Sequence, residues 1–101
     1  NYIHSLDSAM LSLVTCKMKA HGVHHFAMIH DSYGVHATNV DQLSKCLRRV
    51  CVDMFKDDLL AKFRDEIHAM LSPQNQKRIP PLPEKGNLEL DKVLESDYFF
   101  A

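Results

Sequence analysis

The hydrophobic period changes near the middle of this chain, and that change limits its folds more than any other feature. Residues 6–20 carry Leu6, Met10, Leu13 and Val14 at helical spacing, with Leu11 and Met18 widening the stripe. Residues 25–30, His-Phe-Ala-Met-Ile-His, leave that spacing for a short apolar run bounded by turn-forming residues, the pattern of a buried strand. Asp31-Ser32-Tyr33-Gly34 suits a tight turn, and Val35-His36-Ala37 is long enough for a short return strand. Helical spacing then resumes through Val40, Leu43, Leu47, Val50 and Met54, and again through Leu59, Leu60, Phe63, Ile67, Met70 and Leu71. The expected fold is α+β: a helix, a β-hairpin with an acidic tip, two packed helices, and an extended C-terminal tail.

The boundaries have local causes. Ser5 is a candidate N-cap for the first helix, with Asp7 near the positive end of its dipole, and Gly22 stands where a left-handed residue would end it. Thr38 or Asn39 can cap the next helix, while Lys45, Arg48, Arg49 and Asp53 fall mostly outside its apolar stripe. Ser72-Pro73 ends the last helix, because proline cannot continue the backbone ladder. Residues 74–85 hold Pro80, Pro81 and Pro83 and read as an extended loop, followed by a helical turn or two within 87–94. The tail, Asp97-Tyr98-Phe99-Phe100-Ala101, is aromatic where free tails are polar, so it is expected to dock. The chain thus divides into residues 1–72 and a Pro-rich loop and tail over 73–101, within one segment.

At 101 residues there is room for one domain at most. With 12 Lys and Arg against 13 Asp and Glu, the chain lacks the basic excess that supplies most of a free-standing nucleic-acid binder's affinity. If it meets nucleic acid, another part of a larger molecule must carry the positive surface. No apolar run approaches the roughly 18 residues of a spanning helix, so no membrane partner is expected. The chain opens on Asn1-Tyr2-Ile3-His4, with neither Met nor a signal pattern, and is expected to be a piece of a longer protein. Cys16, Cys46 and Cys51, an odd set within apolar-periodic segments, read as buried reduced thiols of a cytosolic protein.

Asp31 is the leading candidate for chemistry. A carboxylate on a hairpin tip is rigidly held yet open to solvent, as a hard Mg²⁺ ligand must be; the same residue can equally serve only to start a turn. The histidines His21, His24, His25, His30 and His36 are a weaker set for zinc, since His24 and His25 would point to opposite faces of a strand. Cys46 and Cys51 lack zinc spacing, and thiols buried in apolar surroundings make poor nucleophiles. No glycine-rich phosphate loop or nucleophile elbow is present.

Phe26-Ala-Met-Ile-His-Asp-Ser-Tyr-Gly34 resembles motif C of the single-subunit, bacteriophage-type DNA-directed RNA polymerases, which also occur in mitochondria and plastids. Three more stretches agree in order and spacing. Asn1-Tyr-Ile-His-Ser-Leu-Asp7 resembles the segment just upstream, Pro81-Leu-Pro-Glu-Lys-Gly-Asn-Leu88 the family's Pro-rich loop, and Glu95-Ser-Asp-Tyr-Phe-Phe-Ala101 the aromatic C-terminal foot of the phage enzymes. The resemblance implies the C-terminal part of a right-hand polymerase, from the palm β-hairpin to the foot.

By that resemblance, Asp31 is the carboxylate that binds both catalytic Mg²⁺ ions in a two-metal nucleotidyl transfer, the single protein ligand in this segment. His30 is similar to the residue near the 3′ end of the growing RNA, and His4 to one on the minor-groove side of the nascent base pair. Ser32 and Tyr33 fit as turn supports, and Phe99, Phe100 and the Ala101 carboxylate as the foot that shapes the site. Tyr33 stands where phage members carry Phe, and Phe99 where they carry Ala. The family's second metal-binding Asp, its nucleotide-gripping Lys and Arg, and its sugar-sensing Tyr belong to motifs upstream of Asn1. Asp7, at a helix start and matching another family position, is no substitute, so the 101-residue chain alone is expected to polymerise nothing.

The implied partners are a DNA template, the RNA product, ribonucleoside triphosphates and the rest of the polymerase. The implied compartment is the cytoplasm of a phage-infected host, with an organelle matrix as the alternative. Two other readings compete. A family A DNA polymerase shares the palm but typically has Glu where Ser32 stands, and a non-catalytic helical interaction module would use the stripes and tail only for docking.

Overall fold

A computed structural model describes residues 1–99. The architecture is α+β: helices α1 (Tyr2–Ala20), α2 (Val40–Phe55), α3 (Leu59–Met70) and α4 (Pro73–Gln76), with an antiparallel hairpin of β1 (Ala27–Ile29) and β2 (Ser32–Gly34) between α1 and α2. Short 3-10 turns at Ala37–Asn39 and Leu90–Leu94 precede α2 and close the C-terminal segment.

The first helix starts a turn earlier than Ser5 would place it. Asn1 occupies the N-cap, and the Ser5 hydroxyl instead donates to the Tyr2 carbonyl at 2.6 Å. Asp7 consequently lies beyond the first turn. The other end follows expectation: Gly22 has φ +87°, its amide donates to Lys19 and that of Val23 to Met18, closing a Schellman motif in which Val23 is buried.

The hairpin is shifted and shorter than expected. Ile29 pairs with Ser32, so the connecting loop is His30–Asp31, and Ser32 and Tyr33 belong to the return strand rather than to the turn. Val35-His36-Ala37 is not the strand. The physical reason is cross-strand packing: Phe26, Tyr33 and Val35 lean on the core, whereas Ile29, on the opposite face, is 68% exposed. The apolar run is therefore half-buried, not enclosed on both faces. Gly34 lets β2 lie close to β1: a Cβ there would stand 3.0 Å from the Ala27 carbonyl oxygen and would push that strand back by a few tenths of an ångström.

Met10, Val14 and Met18 of α1 pack against Leu43, Leu47 and Val50 of α2, with Val23 closing the cluster. The expected packing of α2 with the following helix is replaced by this pairing of α1 with α2. No residue of α3 is buried; its link to α1 is Tyr2, whose ring stacks on Phe63 at 4.0 Å and whose hydroxyl donates to the Leu59 carbonyl at 2.9 Å. Cys16 is exposed, and Cys46 and Cys51 are only half-buried, which corrects the expectation of three buried thiols; all three are free.

Within the Pro-rich stretch, Pro73 begins α4, where its missing N–H loses nothing. The Gln76 amide then satisfies the terminal carbonyls of His68 and Leu71, so this part is not extended. Residues 80–89 are. No helix of the described residues is long and apolar enough to cross a membrane.

Candidate active site

The loop His30–Asp31 stands at the free end of the hairpin, with His30 at φ +54° and both side chains exposed. Positive φ at the first loop residue lets two strands of right-handed twist meet in a two-residue connection. The strands hold that tip firmly because Tyr33 and Phe26 are packed on the core formed by α1 and α2.

Asp31 borders two hollows. One, of about 530 Å³, lies between the hairpin tip and the first half of α1 and is lined by His4, Asp7, Ser8, Ser12, His30 and Asp31. The other, of about 500 Å³, lies between the hairpin, α2 and the C-terminal segment, where Asp31, Ser32, Tyr33, Ser44 and Phe99 face it. His4, His30 and Asp31, expected as site residues, thus share one hollow, and Ser32, Tyr33 and Phe99 share the adjoining one. Adjacent residues of a strand would face opposite ways. As loop residues His30 and Asp31 escape that alternation and line the same hollow. Phe100 and Ala101 lie outside the described residues.

The electrostatics converge on the same place. Burial pushes the Tyr33 phenol above its ordinary pKa, and the carboxylates of Asp7 and Asp31 push it the same way. Asp7, on α1, and Asp31, on the loop, therefore act on one side chain between them. Asp7 and Ser8 are site-lining residues that sequence reasoning missed. The i, i+3 spacing of His4 and Asp7 puts them on one face only once the helix starts at Tyr2 rather than after Ser5.

Among the described residues no three His, Cys, Asp or Glu side chains are grouped so as to hold a metal ion. At the opposite end of the hairpin, His25 and His36 meet edge to face at 5.4 Å. Burial raises the thiol pKa values of Cys46 and Cys51, although Lys17 pulls Cys46 slightly back.

The structure thus sets a carboxylate on an exposed hairpin tip, with a helix-borne His across one hollow and the C-terminal Phe99 across the other. Comparison with known proteins is specific: a model of the DNA-dependent RNA polymerase family matches residues 1–78. The chain belongs to that family. It is 38% identical over 103 residues to T7 RNA polymerase of Escherichia phage T7, with all of this chain covered and 12% of that protein. It is 39% identical over 100 residues to DNA-directed RNA polymerase 1A of Nicotiana tabacum, covering 99% of this chain and 62% of the relative. A mitochondrial DNA-directed RNA polymerase 1 of Nicotiana sylvestris matches at the same identity, with 10% of its length covered. The chain therefore spans between about a tenth and three fifths of these relatives. They are RNA polymerases, in line with the main sequence reading and not with a family A DNA polymerase or a docking module.

Proposed function

We propose that this chain supplies the catalytic motif C and the C-terminal foot of a right-hand, DNA-directed RNA polymerase that joins ribonucleoside triphosphates along a DNA template. The observation that supports this best is Asp31 on the hairpin tip, within a chain similar to such polymerases over essentially its whole length. In nucleotidyl transfer the RNA 3′-hydroxyl attacks the α-phosphate and pyrophosphate leaves, so negative charge must be held and oriented at the reacting phosphate.

The donor chemistry of Asp31 fits Mg²⁺, an ion that prefers oxygen ligands and keeps waters and phosphate oxygens in its remaining positions. Bound there, Mg²⁺ would supply Lewis acidity to the 3′-hydroxyl and charge neutralisation to the leaving pyrophosphate. The described residues offer no group of three such ligands, so further oxygen donors come from elsewhere in the polymerase or from the nucleotide.

The chain's own residues have positional tasks. The hairpin holds Asp31 at fixed depth, and His30 beside it faces the 3′ end of the RNA. His4, across the same hollow, touches the minor-groove side of the new base pair. Tyr33 and Phe99 wall the adjoining hollow. Template, transcript and nucleotides are engaged through the intact polymerase, and the 101-residue chain by itself is inactive. The compartment follows the parent enzyme: the cytoplasm of an infected host, or an organelle matrix if the polymerase is organellar.

The test is Asp31→Asn in the intact polymerase. RNA synthesis is expected to fall about a thousandfold or more, since the metal contribution is several kcal/mol of transition-state stabilisation. Because Asp31 is exposed, folding stability should stay within about 0.5 kcal/mol of the parent. Normal transcription by the variant would overturn the assignment.

A further inference from the structure

The C-terminal segment that reaches the Asp31 hollow is met at three points by one side chain. Arg48 projects from α2 and donates from Nη1 to the carbonyls of Val93 at 2.7 Å and Ser96 at 2.5 Å. Its guanidinium carbon also lies 5.5 Å from the centre of the Phe99 ring. Residues 93, 96 and 99 thus meet a single guanidinium at three-residue intervals, as the chain leaves the Leu90–Leu94 turn. The Ser96 hydroxyl, donating to the Tyr98 carbonyl at 2.6 Å, tightens the segment between these points.

We infer that Arg48 is a positioning residue that latches the C-terminal segment onto α2 and so sets where Phe99 stands beside Asp31. The catalytic consequence rests on the polymerase reading; the latch itself rests on geometry alone. Arginine suits this task because its guanidinium is always charged, offers several donors in a fixed plane and stacks on aromatic rings. Both hydrogen bonds leave one nitrogen, which a lysine ammonium could imitate, but lysine lacks the planar face that Arg48 sets beside the Phe99 ring. Phe99, the last element of the latch, packs against the core cluster and faces the same hollow as Asp31 and Tyr33. The neighbouring Arg49 is exposed and points elsewhere, toward the groove beside Lys17 and His21.

The experiment compares Arg48→Ala, Arg48→Lys and Arg49→Ala in the intact polymerase. Limited carboxypeptidase digestion, followed by mass, reads release of the tail, while nucleotide KM and kcat read the site. Arg48→Ala should speed trimming about tenfold, as expected for losing hydrogen bonds from a charged donor. It should raise KM more than it lowers kcat, because the wall formed by Phe99 loosens while Asp31 stays on its own hairpin. Arg48→Lys should recover part of both effects, and Arg49→Ala should behave as the parent does.

Unchanged trimming in Arg48→Ala would overturn the latch. Faster trimming with KM and kcat unchanged would overturn the positioning role, as would an equal effect from Arg49→Ala. A parent enzyme that makes no RNA would instead refute the polymerase reading, and the trimming result would still decide the latch.

Discussion

His30 is the described non-glycine residue with positive φ, and it sits immediately before the metal-binding candidate. Left-handed backbone crowds Cβ against the carbonyl, and histidine tolerates it better than most residues while β-branched ones do not. His30→Gly should therefore leave the hairpin intact, whereas His30→Ile should lower stability by about 1–2 kcal/mol in thermal or urea melts. Loss of RNA synthesis in the stable His30→Gly polymerase would report the imidazole itself, separated from the loop it sits in. The sequence made Asp31 legible as a tip residue because turn chemistry is local. It did not reveal His30 as part of the turn, because residues 25–30 hold no turn-forming residue, while register is set by which residues the opposite strand and the core accept.

At the level of elements, the N-terminus of α3 ties the Pro-rich stretch to the helices. The Asp58 carboxylate pairs with the Lys85 ammonium at 2.8 Å and accepts from the Ala61 amide at 3.0 Å. The Lys85 contact first, and the Ala61 amide second, hold the Asp58 carboxyl below its ordinary value of 3.8. A carboxyl whose folded pKa is depressed contributes its stabilisation above the unfolded value and loses it as pH falls through the folded one. Acidification below pH 3.8 should thus fray the start of α3 and free the segment around Lys85, with faster amide exchange at Ala61 as the readout. At neutral pH, Asp58→Asn should keep the helix start, since Asn caps nearly as well, yet release Lys85; Asp58→Ala should lose both. Helix ends and apolar stripes were readable here because they repeat within a few residues. The tie from Asp58 to Lys85 was not, as nothing local pairs positions so far apart.

The whole molecule is long and thin, 56 × 27 × 20 Å, with a radius of gyration of 17.0 Å, whereas a compact chain of this length has about 13 Å. Its core is a single seam between α1 and α2, and Val14 and Met18 are its fully buried side chains. Met18→Ala should cost about 2–5 kcal/mol, a large share of what so small a core can supply, and urea unfolding should show it as a lowered midpoint. The amphipathic α3 shows the opposite case: its sequence has a clear apolar face, yet none of it is buried and Met70 is 78% exposed. A hydrophobic stripe declares that a helix has an inner face; it does not say which partner meets that face.

The sequence by itself determined the order of helix, hairpin and helices, the placement of Asp31 at a hairpin tip, and the likeness to a polymerase palm and foot. These follow from short-range causes: periodicity, capping, proline and glycine chemistry, and motif residues close together in the chain. Only the tertiary structure decided that His4 and Asp7 share a hollow with His30 and Asp31, that α1 rather than α3 packs on α2, and that Arg48 holds residues 93–99 against the site. Such contacts join positions tens of residues apart, and their geometry is set by how whole elements pack, which local pattern does not encode.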